Sequence, residues 1–385
     1  MLTDRPRARV DDLVGGRATV FDRLAGELVA TSPSDVVPVL GEVEHAAARG
    51  LWAAGFVAYE AAEGLDPRLA VHPRPPDDEL PLAHFLLFGQ ARDVPVVTPS
   101  APGGHGYAVG PWRRSWTEGE HAAGVRRIQE HIAAGDTYQL NYTVRLDAPF
   151  RGDAAQLYAD LAHAQGGAHA VLLDLGRYVV AGASPELFFE WTADELLTRP
   201  MKGTAPRGRT PEEDERLRAA LLASAKERAE NVMIVDLLRN DLGRLADVGT
   251  VEVPQLLTAE RYETVWQLTS TVVARPRPGT GLVDVFGALF PSGSVTGAPK
   301  PRTMELIRDL ETGPRGVYCG AVGVVAPAGQ PWRARFNVAI RTVTLDRLAG
   351  TARYGTGGGI TWASDPAAEH AELLAKAAIL DRLQP

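Results

Sequence analysis

Apolar and polar positions alternate along the chain in a pattern that divides it into strands and helices. A helix is predicted over 118–134, ending at Gly135, because glycine commonly follows the last helical residue. Two helices are predicted within 211–243, and a last helix over 365–383. Strands are predicted at 137–148, 169–182, 186–193, 262–275, 316–326, 332–344 and 350–361. Long strands joined by turns, with helices bunched between them, predict an α+β fold with antiparallel sheets.

The stretch from 92 to 112 is the candidate boundary between two parts of the chain. It is rich in proline, glycine and serine, a composition typical of linkers. The part before it contains short apolar runs, such as residues 50–62. We therefore expect an N-terminal segment followed by a larger part that carries most of the predicted strands.

Composition and charge exclude several classes of protein. The chain has 385 residues, is 45% hydrophobic and carries a net charge of −8, without the basic block that nucleic-acid binding needs. Its single cysteine, Cys319, rules out an intramolecular disulfide and fits the reducing cytosol. The sequence shows neither the apolar core of a signal peptide nor a run of ~18 apolar residues. We expect a cytoplasmic protein that binds neither nucleic acid nor a membrane.

Acidic residues on two predicted helices are the first candidates for chemistry. Glu227 and Glu230 are three residues apart, so they share one face of a helix. That face continues through Ile234 and Leu237, and the other faces are also largely apolar, which predicts a buried helix. Acidic pairs on most helices are simply solvated, but buried carboxylates need a cation or a proton.

The last predicted helix repeats this spacing with Glu369 and Glu372. Taken alone, it is typical of an amphipathic surface helix, with Lys376 continuing the acidic face. Taken together with the first pair, it indicates two helices that present carboxylates to one site. Carboxylate oxygen ligands favour Mg²⁺, which takes few protein carboxylates and an anionic substrate.

Three further features allow two interpretations each. Lys202 lies in RPMKGTAPRG, where proline and glycine exclude a regular helix, and it is either a solvated lysine or a reactive amine. The glycines of YGTGGGITWASDP either bind an anion through their N–H groups or form a plain bulge. Arg341 ends the alternating stretch FNVAIRT and is either solvated or paired with a carboxylate.

These stretches, in this order, resemble the chorismate-utilising enzymes, a family that includes the anthranilate, aminodeoxychorismate, isochorismate and salicylate synthases. The matching segments are GDTYQLNYT (135–143), SPELFFE (184–190), RPMKGTAPRG (199–208), KERAENVMIVDLLRNDLGR (226–244), VWQLTSTV (265–272), PSGSVTGAPKPRTMELI (291–307), RGVYCGAVG (315–323), FNVAIRT (336–342) and GTGGGITWASDPAAEHAELLAKA (355–377). The resemblance implies an anthranilate-synthase-like fold, with two large antiparallel β-sheets packed as a sandwich and surrounded by helices. It implies a chorismate-binding catalytic domain over 116–383 and an N-terminal segment, 1–105, that completes the sandwich.

Two motifs make the resemblance strongest to the aminodeoxychorismate synthase component I branch. Lys202 is similar to the lysine in that branch's PIKGT, where the anthranilate synthases have alanine, and YQLN at 138–141 looks like its YQVN. This resemblance implies conversion of chorismate and ammonia to 4-amino-4-deoxychorismate, for para-aminobenzoate and folate biosynthesis. Lys202 would be the nucleophile that forms a covalent intermediate, and Glu186 would be the general acid–base.

The other site residues of the family carry over position by position. Mg²⁺ would be ligated by Glu230 and Glu372, with Glu227 and Glu369 beside them. Chorismate would be held by Gly203, Thr204, Tyr318, Arg341, Gly357 and Gly359.

Two departures from the family pattern and the single cysteine bear on the product and the partner. Gln267 stands where the family often has a histidine. In anthranilate synthase that histidine is associated with the loss of pyruvate, so we expect a product that keeps its enolpyruvyl group. The tryptophan-binding segment of some members is not recognisable in residues 1–100, which argues against tryptophan binding. Cys319 lacks the Gly-rich nucleophile turn of a glutamine amidotransferase, so a separate amidotransferase subunit would supply the ammonia. Anthranilate synthase activity and an inactive chorismate-binding subunit are the alternatives.

Overall fold

A computed structural model describes residues 7–101, 104, 106–262 and 265–383. The described strands are β1 Ala8–Asp12, β2 Arg17–Ala30, β3 Trp52–Val57, β4 Ala83–Val94, β5 Tyr107–Val109, β6 Arg113–Arg114, β7 Gln139–Gly152, β8 His169–Asp174, β9 Tyr178–Ser184, β10 Leu187–Trp191, β11 Leu196–Arg199, β12 Met201–Pro206, β13 Glu252–Arg261, β14 Val265–Ala274, β15 Gly297–Ala298, β16 Ala321–Val325, β17 Ala334–Val338, β18 Thr342–Asp346 and β19 Thr351–Ile360. The helices are α1 Pro33–Ala48, α2 Ala62–Leu65, α3 Glu118–Ala133, α4 Ala154–Gln165, α5 Pro211–Ala223, α6 Ala225–Gly243, α7 Leu282–Leu289, α8 Lys300–Leu310 and α9 Pro366–Ala377. Short 3-10 turns lie at Tyr59–Ala61, Gly293–Val295 and Ala378–Leu383.

All pairings between the described strands are antiparallel, and they join the strands into one hydrogen-bonded network. The network runs through β13, β14, β11, β10, β17, β16, β3, β4, β2, β1, β8, β9, β18, β19 and β7 in that order. β12 also pairs with β14, and β5, β6 and β15 pair with β7. The predicted α+β fold with antiparallel strands is therefore confirmed.

The network has two halves that pack against each other. The long strands β2 and β4 join the two halves. They pair with each other along most of their length, and β2 also pairs with β1, whereas β4 also pairs with β3. Phe56 on β3 and Val322 on β16 share one buried apolar cluster with Val171 on β8. The two layers expected from the resemblance are thus the two halves of one continuous sheet.

Helices cover the outer faces of the two halves. A large apolar cluster joins α1, α6 and α7 to the half that contains β3, β10 and β16. A second cluster joins α4 and α9 to the half that contains β7, β9 and β18. These helices bury the strand faces that the central cluster does not use, as a layered α+β domain requires.

The segment before residue 106 contributes strands to both halves. β1 pairs with β8, and β3 pairs with β16 over Ala321–Val325. The predicted linker, 92–112, contains the end of β4 and the whole of β5, so it is not entirely without regular structure; residues 102, 103 and 105 fall outside the described part. The division of the chain into 1–105 and 116–383 stays a prediction.

Two predicted strands are interrupted in the structure. The stretch 169–182 forms a hairpin of β8 and β9, in which Gly176 adopts a φ of 86° that favours glycine. The stretch 332–344 is divided into β17 and β18 because Arg341 has a φ of 52°, outside the extended region. The first residues of 316–326 form a turn, and only Ala321–Val325 is strand. Residues 263 and 264 of the predicted strand 262–275 lie outside the described residues.

The helix α6 is not buried on all sides, contrary to the sequence prediction. Ile234 and Leu238 pack into the core, but Val232 is exposed together with Asp236 and Arg239. These charged side chains keep one face of the helix in water. The predicted acidic pair lies at the margin between the two faces, where both glutamates are half-buried.

Candidate active site

A cavity of about 470 Å³ opens between β7, β12, β19, α6 and α9. The twelve residues singled out from the sequence all line it: Glu186, Lys202, Gly203, Thr204, Glu227, Glu230, Tyr318, Arg341, Gly357, Gly359, Glu369 and Glu372. They come from chain positions far apart in sequence, so the fold brings them together. Their individual roles remain predictions.

Lys202 projects from β12 into this cavity. Its Nζ donates a hydrogen bond to the carbonyl oxygen of Ser294, at 3.2 Å. Burial and the positive charge of Lys376 both lower the pKa of the Lys202 amine, while three carboxylates oppose this effect. The amine is thus placed to be neutral more readily than an ordinary surface lysine.

Glu186 lies immediately before β10 and is only 5% exposed. Burial raises the pKa of its carboxyl to about 7, although a hydrogen bond with the Ser294 side chain and the positive charge of Lys202 work in the opposite direction. Ser294 thus contacts both predicted catalytic groups, the amine through its carbonyl and the carboxyl through its side chain. A buried carboxyl with such a pKa can hold a proton near neutral pH and donate it.

Lys202 is followed by a glycine that the backbone and the site both require. Gly203 has a φ of +89°, a conformation that favours glycine. A Cβ at this position would lie 2.9 Å from Oε2 of Glu227. The glycine therefore allows β12 to pass close to the acidic face of α6.

The four predicted metal ligands lie on α6 and α9, on the walls of the cavity. Burial and neighbouring carboxylates raise the pKa of Glu227 and of Glu230, although nearby lysines offset part of this effect. Burial also tends to raise the pKa of Glu372, but Lys376, at 2.7 Å, brings it below the usual value. Glu369 accepts a 2.6 Å hydrogen bond from Ser364 Oγ. Carboxylates that repel one another in a half-buried site favour a bound cation.

The donor set fits Mg²⁺ better than a metal that needs a closed protein cage. Among the described residues, no three histidine, cysteine, aspartate or glutamate side chains form a ready-made ligand group. Mg²⁺ usually takes one or two protein carboxylates and completes its coordination with water and an anionic substrate. Glu230 and Glu372, facing one cavity from two helices, are compatible with that mode of binding.

The Gly-rich segment is strand as far as Ile360, in agreement with the strand predicted over 350–361. Residues 355–360 belong to β19 and pair with β7, whereas β18 pairs only with Thr351–Tyr354. One backbone edge of this glycine stretch therefore has no strand partner on the β18 side in the described structure. A Cβ at Gly357 would lie 2.5 Å from the carbonyl oxygen of Tyr142, so a side chain is excluded there.

Arg341 and Tyr318 also line the cavity. Arg341 Nη1 donates a 2.5 Å hydrogen bond to the carbonyl oxygen of Lys376, at the end of α9. The ring of Tyr318 packs on Gly355, where a Cβ would come within 2.2 Å of it. Both residues are therefore fixed against the elements that carry the glycines and Glu372.

Gln267 occupies the position of the family's histidine, on β14. Its Oε1 accepts a 2.9 Å hydrogen bond from Thr204 Oγ1, and its Nε2 donates a 2.7 Å hydrogen bond to the carbonyl oxygen of Gly203. Both ends of the amide are bonded to the strand that carries Lys202. In this structure Gln267 holds β12 in place and offers no titratable group to the cavity.

Sequence reasoning gave no role to several residues at or near the site. Ser294, Asn141 and Lys376 line the cavity but were given no role there. Gln139 is 1% exposed, and neither end of its amide has a hydrogen-bond partner among the described residues. Its Nε2 lies 2.4 Å from the ideal Cβ position of Gly359, a point only 3.6 Å from Lys202 Nζ. The YQLN motif was the available signal, since Gln139 and Asn141 belong to it.

Residues 5–382 match the chorismate binding enzyme family. The chain belongs to the chorismate-binding enzyme family. Similar proteins include an anthranilate synthase component 1 from Streptomyces coelicolor, 42% identical over 74% of this chain and 54% of the relative. An aminodeoxychorismate synthase component 1 from Klebsiella aerogenes is 39% identical over 69% of this chain and 58% of that protein. An aminodeoxychorismate synthase from Streptomyces griseus is 45% identical, over 66% of this chain and 35% of that protein.

Known structures of the family have the same fold. Anthranilate synthase component I from Streptococcus pneumoniae superposes with a TM-score of 0.81 at 25% identity, over 96% of this chain and 92% of that one. The chain spans only about half the length of the first two component 1 relatives, at 54% and 58%. None of the helices in the described part of the chain is long and apolar enough to span a bilayer.

Proposed function

We propose that this member of the chorismate-binding enzyme family converts chorismate and ammonia to 4-amino-4-deoxychorismate. The observation that carries the proposal is the arrangement of Lys202 and Glu186 around Ser294 in one cavity. A buried amine with a lowered pKa and a buried carboxyl with a pKa of about 7 suit a nucleophile and a general acid.

In the proposed reaction, the neutral Lys202 amine attacks ring carbon C2 of chorismate. The two conjugated ring double bonds shift by one position, and the C4 hydroxyl leaves as water with the proton of Glu186. Ammonia then attacks C4, the two double bonds shift back, and the bond between C2 and Lys202 breaks to release the amine. The new C4 ammonium group returns one proton to Glu186. Two displacements through a covalent intermediate thus replace one difficult substitution.

The remaining residues of the cavity would bind the substrate. Arg341 and the open edge of the glycine strand suit the carboxylates of chorismate, because both present N–H donors. Mg²⁺, held by Glu230 and Glu372, would neutralise substrate carboxylate charge that these glutamates would otherwise repel. Gln139, whose amide has no partner among the described residues, packs against Gly359 on the side near Lys202 and would bind the incoming ammonia.

The main alternative is anthranilate synthesis, because anthranilate synthases are among the similar proteins. Two observations favour aminodeoxychorismate. Lys202 lines the cavity at the position where the anthranilate synthases have alanine, and Gln267 uses its amide to hold Gly203 and Thr204. An inactive chorismate-binding subunit is less well supported, because it would have no need of the buried pair of Lys202 and Glu186.

The test is product identification. The purified chain would be incubated with chorismate, ammonium and Mg²⁺, and the products separated and weighed by mass spectrometry, with anthranilate followed by its fluorescence. We expect 4-amino-4-deoxychorismate, and none without ammonium. Anthranilate as the main product, or no turnover with ammonium present, would contradict the proposal. A para-aminobenzoate or folate pathway, a glutamine amidotransferase partner and a cytoplasmic location are parts of the same proposal.

A further inference from the structure

A buried ion pair lies behind the cavity, away from the substrate side. Arg315 and Glu311 are 3% and 7% exposed, and two hydrogen bonds of 2.7 and 3.1 Å join them. Burial tends to raise the pKa of Glu311, but Arg315 and Arg145 hold it below the usual value. Buried ion pairs are weak evidence for stability in themselves, because desolvation offsets their attraction. Their value depends on what the two groups hold in place.

The guanidinium of Arg315 holds two walls of the cavity at once. Nη1 donates to the carbonyl oxygen of Val295 at 2.7 Å, and Nη2 donates to the carbonyl oxygen of Asn141 at 2.8 Å. Val295 is the residue after Ser294, which contacts both Lys202 and Glu186. Asn141 lies on β7 and lines the cavity. One planar group therefore sets the distance between β7 and the turn that carries Ser294.

Residues of the N-terminal segment fix Arg315 in turn. The buried carboxylate of Glu60 accepts hydrogen bonds from the backbone N–H groups of Arg315 and Gly316, at 2.6 and 2.9 Å. The guanidinium carbon of Arg315 lies 4.4 Å from the centre of the Tyr59 ring. Glu60 thus fixes the backbone of Arg315, and the Tyr59 ring packs near its guanidinium group.

We propose that Arg315 is a positioning residue for the Lys202 and Glu186 pair, acting through Val295 and Ser294, and that Tyr59 and Glu60 connect the N-terminal segment to this site. The inference rests on the proposed function for its effect on turnover. It rests on geometry alone for its effect on the Lys202 amine. Lysine cannot replace Arg315, because one ammonium group cannot donate to Val295, Asn141 and Glu311 in the same planar geometry.

The test compares Arg315→Lys with Arg145→Lys. Arg145 also donates to Glu311, at 3.0 Å, but its other hydrogen bonds go to the carbonyl oxygens of Gly313 and Pro314 and not to the cavity walls. Both variants disturb the same buried carboxylate, so both should lower the unfolding temperature. Only Arg315→Lys should disturb Ser294, which makes Arg145→Lys the matched control.

Two readouts separate positioning from stability. Steady-state turnover of chorismate with ammonium gives kcat and KM, and we expect Arg315→Lys to lower kcat by about 100-fold, with a much smaller change in KM. Labelling with trinitrobenzenesulfonate, without substrate and read by peptide mass spectrometry, reports on the Lys202 amine. We expect faster labelling of Lys202 in Arg315→Lys, because the amine is no longer held by the Ser294 carbonyl, and unchanged labelling in Arg145→Lys.

The outcomes distinguish this inference from the proposed function. If the wild type turns over no chorismate, the proposed function fails, while the labelling comparison still decides the role of Arg315. Equal losses of kcat in the two variants, or unchanged Lys202 labelling in Arg315→Lys, would overturn the inference. If Arg315→Lys does not fold, Glu60→Gln takes its place, with a smaller change expected in both readouts; a folded Glu60→Gln with wild-type kcat and labelling would equally overturn it.

Discussion

The pKa values of the Lys202 amine and of the Glu186 carboxyl are shifted by the same main cause, burial. Removing water disfavours the charged form of either group, so the pKa of the amine falls and that of the carboxyl rises to about 7. Their mutual attraction acts against both shifts, because it stabilises the ionised pair. Burial outweighs that attraction, so the net shift of each pKa favours the neutral form of its group.

The first prediction concerns Lys202→Ala. The variant should fold like the wild type, because a half-buried side chain is removed from a cavity wall and not from the apolar core. It should lose most 4-amino-4-deoxychorismate formation under saturating ammonium and Mg²⁺, because the covalent route is gone. Lys202→Arg should not restore it, since guanidinium stays protonated. Product analysis and thermal unfolding provide the measurements.

Lys226→Ala is the comparison for that variant. Lys226 lines the same cavity, with its amine 3.9 Å from Glu230, so its removal changes the charge without touching the proposed nucleophile. We expect a much smaller loss of product. Wild-type product rates from Lys202→Ala would show that this lysine is not the nucleophile.

The second prediction concerns the stability of Glu186→Gln. The folded carboxyl, with a pKa of about 7, binds its proton more tightly than the unfolded one at 4.5. The wild type therefore loses stability as pH rises from about 4.5 to about 7, by up to about 3 kcal/mol, and the amide variant does not. Thermal unfolding should show Glu186→Gln above the wild type at pH 8, with the difference shrinking below pH 5.

Turnover should move in the opposite direction to stability. Loss of the general acid should cost about 10²- to 10⁴-fold in the rate of product formation. If the variant is less active but more stable at pH 8, the Glu186 carboxyl contributes to the reaction and not to the stability of the fold. Equal stability of the two proteins at all pH values would show that the pKa of Glu186 is not raised.

Sequence reasoning located most residues of the site because the type of each side chain carried the signal. Lysine in a proline and glycine frame and glutamates at helical spacing were visible without the fold. Ser294 and Gln139 were not, because a serine in a loop and a glutamine in a strand are common in any role. Their importance comes from long-range contacts, namely the bond from Lys202 to Ser294 and the proximity of Gln139 to Gly359.

At the scale of elements, α6 and α9 each present a predicted metal ligand to the cavity, but the pKa values of the two carboxyls are shifted in opposite directions. Glu230 on α6 has a raised pKa from burial and neighbouring carboxylates, whereas Glu372 on α9 is held ionised by Lys376. One helix thus supplies a carboxylate that gains from a cation, and the other supplies one that already carries its charge. A divalent ion between the helices would relieve the repulsion on the α6 side.

The third prediction concerns Mg²⁺ and can be measured without turnover. Mg²⁺ should raise the unfolding temperature of the wild type, since binding at about 100 times Kd stabilises a protein by about 2.7 kcal/mol. Glu230→Gln and Glu372→Gln should each lose most of this shift, while Glu252→Gln, an exposed glutamate on β13, should keep it. Without Mg²⁺, Glu230→Gln should be at least as stable as the wild type, because a buried charge is removed.

Activity provides the second measurement for the metal. EDTA should abolish product formation by the wild type, and added Mg²⁺ should restore it. Both glutamine variants should resist that restoration at concentrations that serve the wild type. A full rate in metal-free buffer, or equal Mg²⁺ shifts in all four proteins, would refute a magnesium site between α6 and α9.

The predicted elements were most accurate where hydrophobic periodicity was long and uninterrupted. α3, α5 and α6 were found within a few residues, as was β19. The errors lie where one residue changes the direction of the chain. Arg341, with a φ of 52°, divides one predicted strand, and an arginine in the sequence does not predict a positive φ. The two ends of the stretch 92–112 belong to β4 and β5, which pair with β2 and β7 although the composition around them is typical of a linker.

At the scale of the whole molecule, the continuous sheet connects the start of the described chain to the site. β3 pairs with β16, and the turn before β16 carries Arg315 and Tyr318. Hydrogen bonds from that turn to Glu60 join the two parts a second time. The matching segments quoted from the sequence begin only at residue 135, yet Glu60, in the first hundred residues, contacts the turn that carries Arg315.

Cys319 lies in the same turn and bears on how ammonia reaches the enzyme. The thiol is 0% exposed, and burial raises its pKa to about 11. A cysteine that attacks glutamine must be accessible and must ionise near neutral pH. Cys319 meets neither condition, and it is the only cysteine in the 385-residue sequence.

The fourth prediction follows from that thiol. The purified 385-residue chain should form product with ammonium but not with glutamine, and a separate glutamine amidotransferase subunit should confer glutamine use. Cys319→Ser should keep ammonium-dependent activity if it folds, because the thiol serves only in packing. The measurements are glutamate release and product formation with each nitrogen source, in the presence and absence of the added subunit. Glutamine hydrolysis by the chain alone, at a rate that matches its ammonium-dependent turnover, would contradict this prediction. It would show that the chain carries an amidotransferase site of its own, despite its buried thiol.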